Sequence, residues 1–371
     1  MPRSLPLQVS PMEDSPRVKR YHRTRRVLGV VGFVADLAVI VVLLFTGWTI
    51  TLRVVAEYTV RQPALALLVY LLLFGAITQA VDLPLDFLKS FWLERRYNLS
   101  NLSLGGWVKD HLKGFALGGA LAMLGCEFLY WTMRRWPEAW WIISAVAFVA
   151  FFVLLANLAP VLIFPLFFKF KPVENADLQN RVNRLARRTG THVCGIFEWS
   201  LGEKTRKANA AVVGWGNTRR IIVSDTLLEN FSGEEIEVIM AHELCHHVKN
   251  HIWYGMVLQS ILTFIAFDVA HHVLVPLSRS FGLKGIADVA NFPLLALSLT
   301  TLSLLVLPVA NYFSRRLETE ADLYALDITG DSLAFVSSME KLADLNLANK
   351  TPNKIIEFIF YSHPSIEDRI K

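Results

Sequence analysis

The stretch His242-Glu243-Leu244-Cys245-His246 sets two imidazoles four residues apart with a carboxylate between them. A helix advances about 100° per residue, so His242 and His246 share a face and can both reach one zinc ion. Glu243 lies beside them, placed to accept a proton from a metal-bound water whose pKa zinc has lowered. The five-residue pattern alone is only moderately specific. His247 and His251 follow closely, and a helix carrying several surface histidines would read the same way.

A third ligand separates the two readings. A metzincin would continue with Gly at position 249 and His at position 252, but this chain has Lys249 and Ile252, which excludes that class. The other common solution is a Glu on a later helix, and the run from Ser314 to Asp322 offers one. Glu318 and Asp322 are four apart and share a face, so one can bind zinc while the other orients a ligand histidine. Glu320 points about 200° away around that helix and is the poorer candidate.

These groups need elements to hold them. Ser232-Gly233-Glu234-Glu235 matches a capping box, which predicts a helix from near Gly233 through His246. Upstream, Asn175–Thr189 has helical periodicity, with Leu178, Val182, Leu185 and Ala186 on one face. Ala208–Val213 and Arg220–Ser224 are strand candidates joined by the turn-like Gly214-Trp215-Gly216-Asn217. The first of these suits an exposed edge strand, to which a peptide can add through main-chain hydrogen bonds, with Asn209 holding its backbone near the metal. An ordinary structural strand would look alike.

The remainder of the chain reads as membrane. Hydrophobic residues make up 53% and charged residues 19%, and the apolar ones gather in blocks long enough to cross a bilayer as helices. Six spans are expected, at about 27–52, 64–88, 115–133, 140–168, 253–277 and 292–313, the third being short and containing Glu127. The first is too long in its apolar core for a cleaved signal peptide, and no small-residue cleavage site follows it. Arg17, Lys19, Arg20, Arg23, Arg25 and Arg26 precede it, which puts the N-terminus in the cytoplasm. Counting spans from there, the basic stretches 89–114, 169–252 and 314–371 are cytoplasmic too, so the catalytic part and the C-terminus share that side. The opposite loops carry two basic residues each: Arg53 and Arg61, Arg134 and Arg135, Arg279 and Lys284. A net charge of +5 needs no nucleic acid to explain it, because a juxtamembrane basic cluster already serves orientation and lipid contact. Three scattered cysteines, Cys126, Cys194 and Cys245, suggest no disulfide framework.

The expected organisation is a basic tail (1–26, disordered over 1–16) and a four-span block (27–168). A zinc-protease subdomain with the metal helix (169–252), a transmembrane hairpin (253–313) and a C-terminal part with the third-ligand helix (314–371) follow. The fold class is an all-α membrane protein with a small α+β catalytic domain. Asp36, Asp82, Asp86, Glu127, Asp268, His271 and His272 fall in or near spans and are expected to face one another or a wet interior. His271 and His272 point about 100° apart and make a poor second metal site.

Taken together these motifs resemble the CAAX prenyl protease 1 family, integral-membrane gluzincin endopeptidases, as a prokaryotic-type homologue. The resemblance covers the chain from about residue 50 onward. His242-Glu243-Leu244-Cys245-His246 with Asn250-His251 is similar to the family's metal helix, and the run from Phe313 to Asp322 to its third-ligand helix. Lys207-Ala208-Asn209-Ala210 resembles its substrate-side strand, Tyr361-Ser362-His363-Pro364 its C-terminal signature, and the run from Leu93 to Leu99 its loop between the second and third spans. The resemblance implies one zinc ion bound by His242, His246 and Glu318, with Glu243 as general base and Asp322 supporting a ligand. His363 would stabilise the tetrahedral intermediate, and Asn209, Ala210 and Ala211 would contact substrate. It also implies a membrane-associated or CAAX-type peptide substrate, with or without the prenyl group of the family's substrates, and spans surrounding a water-filled chamber.

Three departures stand out. One N-terminal span of the eukaryotic seven-span pattern is missing, Cys245 and His247 stand where the family has Gly and Trp, and Ala211 replaces an aromatic residue. None removes a catalytic group. Two other functions compete: an HtpX-like quality-control protease, disfavoured by the multi-span N-terminal block, and a transporter or scaffold with structural zinc, disfavoured by an intact Glu243. A site-2-type intramembrane protease would bury its metal helix in an apolar span, whereas this one is flanked by Glu234, Glu235, Glu237 and Lys249.

Overall fold

The computed structural model describes residues 13–214 and 219–371, so most of the Gly214–Asn217 turn and of the N-terminal tail lies outside the described residues. Helix α1 (Pro16–Phe45) begins under Ser15, whose side chain accepts the Val18 N–H, and carries the basic run into the first span without a break. Asp14, at the end of the expected disordered tail, is buried and accepts the backbone N–H groups of Lys350 and Thr351. The first span ends sooner than its hydropathy suggests. Gly47 takes a left-handed conformation (φ 74°) that glycine adopts without strain, and a separate helix α2 (Trp48–Thr59) follows it. Helix α3 (Pro63–Asp86) continues through a π-helical turn at Phe87–Trp92 into α4 (Leu93–Arg96). Helix α5 (Leu104–Arg135) is much longer than the short apolar core around Glu127 predicts. Helix α6 (Trp140–Leu158) passes through a second π turn containing Pro160 into α7 (Phe164–Phe167).

The polar part folds around a four-stranded sheet. Strand β1 (Phe170–Pro172) leads to α8 (Ala176–Arg188), capped by Asn175, then to β2 (Ile196–Trp199), β3 (Ala210–Val213) and β4 (Arg220–Ser224). The spatial order is β1-β2-β4-β3, with β2 and β4 parallel and the outer pairs antiparallel, so β3 is an edge. Strands β1 and β2 escaped the sequence reading; β3 is no longer than β2, but the turn-like Gly214–Asn217 marks it and β4 as a pair. Helix α9 (Asp225–Asn230) follows β4 directly, and α10 (Gly233–Val248) carries the His-Glu-x-x-His motif under the capping box of Ser232 and Glu235.

A two-residue corner, with Asn250 left-handed at φ 59°, joins α10 to α11 (His251–Ser280). Helix α12 (Phe292–Thr329) is one continuous rod of 38 residues, about 57 Å long at 1.5 Å per residue. That is nearly twice the ~30 Å of hydrocarbon it must cross. The last span and the helix bearing Glu318 are therefore a single element, and the change in composition near residue 313 is no structural break. Gly330, left-handed at φ 69°, ends it, and α13 (Ser332–Leu345), α14 (Lys354–Phe360) and α15 (Ile366–Ile370) complete the chain.

Among the described residues six helices are long and apolar enough to cross a membrane, each with much of its apolar surface unburied, as lipid-facing helices have. One apolar core packs α8, α10, α13 and the far end of α12 against the sheet; a second ties α2 and α3 to α11 and α12 at the other end of the molecule. A small third core joins Tyr21 of α1, Leu93, Tyr97 and Leu99 after α3, and Leu347 after α13. Ionisable groups in and near the spans find partners. Arg134 lies 3.9 Å from Glu127, His111 lies 3.4 Å from Asp86, and Trp140 Nε1 donates to His271 Nδ1 at 2.9 Å.

Candidate active site

Helices α10 and α12 cross face to face, which brings His242, His246 and Glu318 together. One donor atom from each lies within 4.8 Å of the others. His242 Nε2 is 3.2 Å from Glu318 Oε2, His246 Nε2 is 3.5 Å from Glu318 Oε1, and the two Nε2 atoms are 3.4 Å apart. The cluster sits where α12 has left its apolar segment. Two imidazoles and a carboxylate converging at this spacing match the donor set of a three-residue catalytic zinc site.

The rings are held from behind. His242 Nδ1 hydrogen-bonds Asp322 Oδ1 at 2.9 Å, and Asp322 accepts both Nε (2.8 Å) and Nη2 (2.6 Å) of Arg369. His246 Nδ1 pairs with His251 Nδ1 at 3.1 Å, and His251 Nε2 in turn faces Glu320 at 3.4 Å. With both Nδ1 atoms engaged, both Nε2 atoms are left to face Glu318. Glu320 thus lies behind the cluster rather than in it, next to Lys249 and His251.

Electrostatics follow from the crowding. Burial opposes charge on His242, but its hydrogen bonds to Asp322 and Glu318 outweigh that and raise it to about 9. Burial, reinforced by the neighbouring His242 charge, pushes His246 down to about 4. Two rings in edge contact cannot both carry charge. Burial also raises the Glu243 carboxyl above its ordinary value, the Glu318 charge adding to the effect and the His242 charge opposing it.

His363 reaches the cluster from the loop between α14 and α15. Its Nδ1 is 2.7 Å from Glu318 Oε2, while much of the ring stays exposed. Arg315 on α12 fixes that loop by donating to the carbonyls of Glu357, Phe358 and Tyr361, and Asn311 donates to Ile359 O.

Strand β3 lies beside the C-terminal end of α10. Ser224 N–H donates to Asn209 O, so the antiparallel register turns the backbone groups of Ala210 and Val212 away from β4. The Ala210 N–H is taken by Asn209 Oδ1, and Val212 O lies 3.2 Å from His247 Nε2. Ala210 O and the Val212 N–H thus remain on the outer edge. A cavity of about 170 Å³ opens between Val212, Val213, His246 and the apolar Ile252, Trp253 and Met256.

Arg369, Arg315 and Asn311 were not singled out by the sequence. Their partners lie 42 to 48 residues away along the chain, and no local spacing marks them. His251 carried a signal, as the second member of Asn250-His251 five residues after His246.

Comparisons with known proteins agree with this geometry. The family model described as "Peptidase family M48" matches residues 172–371, and "CAAX prenyl protease N-terminal, five membrane helices" matches residues 2–169. An "Uncharacterized metalloprotease YhfN" of Bacillus subtilis is 31% identical over 95% of this chain and 84% of its own length. The "CAAX prenyl protease 1" of Saccharomyces cerevisiae is 28% identical over 82% of this chain and 71% of its own. The crystal structure of S. mikatae Ste24p superposes with a TM-score of 0.87 over 98% of this chain and 91% of that one, at 23% identity. With two family models covering both its membrane block and its catalytic part, the chain belongs to peptidase family M48, as an integral-membrane metalloprotease of the CAAX prenyl protease 1 family.

Proposed function

We propose that the chain is a zinc endopeptidase that hydrolyses membrane-associated or CAAX-type peptides on the cytoplasmic side of the bilayer. The convergence of His242, His246 and Glu318 on one point carries this reading. Those three residues would hold the ion, which when bound acidifies a water and polarises the scissile carbonyl. Glu243 takes the proton of the attacking water and hands it to the departing amine, so that one water is consumed and one C–N bond breaks. Asp322, anchored by Arg369, keeps His242 in one tautomer and orientation. His363 presents a second ring nitrogen with which to stabilise the oxyanion. Ala210 O and the Val212 N–H offer the substrate backbone an edge to pair with, flanked by Asn209 and Ala211. The wet chamber expected from the resemblance would bring the peptide to that edge.

A quality-control protease of the HtpX type is the weaker reading, because the match at residues 2–169 is to the CAAX prenyl protease N-terminal block. The deciding experiment compares a farnesylated CAAX peptide with its unprenylated twin on the purified, zinc-loaded chain. Faster cleavage of the farnesylated peptide is expected. Equal cleavage of both removes prenyl recognition, and no chelator-sensitive cleavage of either removes the proteolytic reading.

A further inference from the structure

Strand β3 is an edge whose outward hydrogen-bonding groups are largely taken already. Asn209, Ala211 and Val213 turn their backbone groups towards β4, so the outward set belongs to Ala208, Ala210 and Val212. The side-chain amide of Asn346 occupies Ala208 completely. Its Oδ1 accepts the Ala208 N–H at 2.9 Å, and its Nδ2 donates to Ala208 O at 3.2 Å. These are the two bonds a residue of a neighbouring strand would make, supplied here by one side chain. Asn346 is itself held in place: it closes helix α13, and the next residue, Leu347, is left-handed at φ 50° with its carbonyl 2.8 Å from His22 Nε2 of α1.

Further along the edge, Asn209 Oδ1 takes the Ala210 N–H. At the far end Val212 O lies 3.2 Å from His247 Nε2. A carbonyl can only accept, so His247 donates there. Ala210 O and the Val212 N–H alone keep no partner among the described residues. Space does not set the limit at the Val212 end, because the cavity of about 170 Å³ lies against Val212, Val213 and Gly214. The limit is chemical. One residue's C=O and the N–H two residues on can engage only the two amides that flank a single residue of an added strand, whichever way that strand runs.

We propose that Asn346, Asn209 and His247 trim the edge of β3 so that a substrate is gripped through the amides on either side of one residue, and that His247 is the specificity-determining residue at the Val212 end. The inference rests on the proteolytic reading above and adds how much extended backbone the chain recognises. An untrimmed edge would anneal to any exposed strand, including those of folded proteins. A trimmed edge gives such strands too few bonds to hold, and it suits a short extended segment whose remaining affinity comes from its side chains and its membrane attachment.

The test measures binding to the full, zinc-loaded chain carrying Glu243→Gln, which separates binding from turnover. The ligands are a CAAX-type peptide and variants N-methylated at one backbone nitrogen at a time. One methyl group, on the nitrogen that faces Ala210 O, is expected to weaken binding on the order of tenfold, the scale of one hydrogen bond. Methylation two residues to either side of it should have little effect. Adding His247→Ala frees Val212 O, and a second sensitive nitrogen should appear two residues from the first, N-terminal to it for a peptide antiparallel to β3 and C-terminal for a parallel one. His247→Gln keeps a donor and retains the single-site pattern. Each comparison is a ratio between peptides on one protein, so a general loss of affinity cancels. The single-site pattern without peptide cleavage by the parent chain sustains the trimmed edge and removes the proteolytic reading. Two sensitive nitrogens so spaced while His247 is intact, no sensitive nitrogen, or no second site in His247→Ala overturns the proposal.

Discussion

At the scale of single residues, the geometry divides two acidic groups that helical spacing alone left interchangeable and only the resemblance told apart. Glu318 faces both Nε2 atoms, whereas Asp322 meets the opposite nitrogen of His242 and is clamped by the guanidinium of Arg369. From this follows a prediction about a residue far from the motif. Arg369→Ala frees Asp322 to turn away from His242, and zinc affinity measured by competition with a chelator should fall about 10- to 100-fold. Arg369→Lys should not restore it, because an ammonium cannot make the paired contact of a guanidinium. His251→Ala should weaken zinc binding as well, since His251 supports His246, and an unchanged affinity would remove that role. The His-Glu-x-x-His helix and the Glu318–Asp322 pair were readable because each is a spacing of four along one helix. Arg369 and Arg315 were not, because their contacts exist only once α12, α14 and α15 have packed.

At the scale of elements, the membrane helices could be read from apolar block length, α8 and α10 from periodicity and a cap, and β3 and β4 from the turn that joins them. The departures have local causes: Gly47 ends α1 early, and β1 and β2 lack a turn signal like the one between β3 and β4. The capping box on α10 turned out to do more than start a helix. Glu235 is buried, accepts the Ser232 N–H, and also receives Ser337 Oγ at 2.5 Å and Lys341 Nζ at 2.7 Å from α13. Burial alone would raise its carboxyl, but Lys341, Ser337 and the Ser232 N–H together hold it below its ordinary value. A carboxyl lowered in the folded state stabilises it above the unfolded value of about 4.3 and ceases to do so as pH falls. Glu235→Gln is therefore expected to cost about 2 kcal/mol at pH 7, read as a lower melting temperature in detergent. The difference from the parent should shrink below pH 4. A gap that stays constant with pH would show that shape rather than charge matters there.

At the scale of the whole molecule, α12 links the two halves. Its first part packs in the core at the far end of the membrane block, and its last part carries Glu318 and Asp322. The metal helix α10 likewise turns directly into a membrane helix, α11. Such a site cannot move far from the bilayer, which suits a substrate held in or on it. We propose from the distribution of Arg and Lys that this site faces the cytoplasm. In a chain with Cys194 replaced by Ser, Glu138→Cys should react with a membrane-impermeant thiol reagent in intact cells, and Glu203→Cys only after lysis. Both side chains are exposed, so labelling reports side alone. The reverse pattern would invert the topology. The number of membrane helices was legible from apolar block length. Their tilts and the meeting of α10 with α12 were not, because helix packing depends on contacts between residues distant in sequence.

In the proposed mechanism Glu243 acts on the proton of the attacking water while His242, His246 and Glu318 hold the ion. Glu243→Gln removes the base and keeps the shape, so metal content and peptide turnover measured on the same sample test it most directly. The expected result is one zinc per chain, as in the parent, with turnover reduced by about 10²- to 10⁴-fold. Zinc retained with activity near the parent's would contradict the mechanism, and zinc lost from Glu243→Gln while Glu318→Ala keeps it would contradict the assignment of ligands.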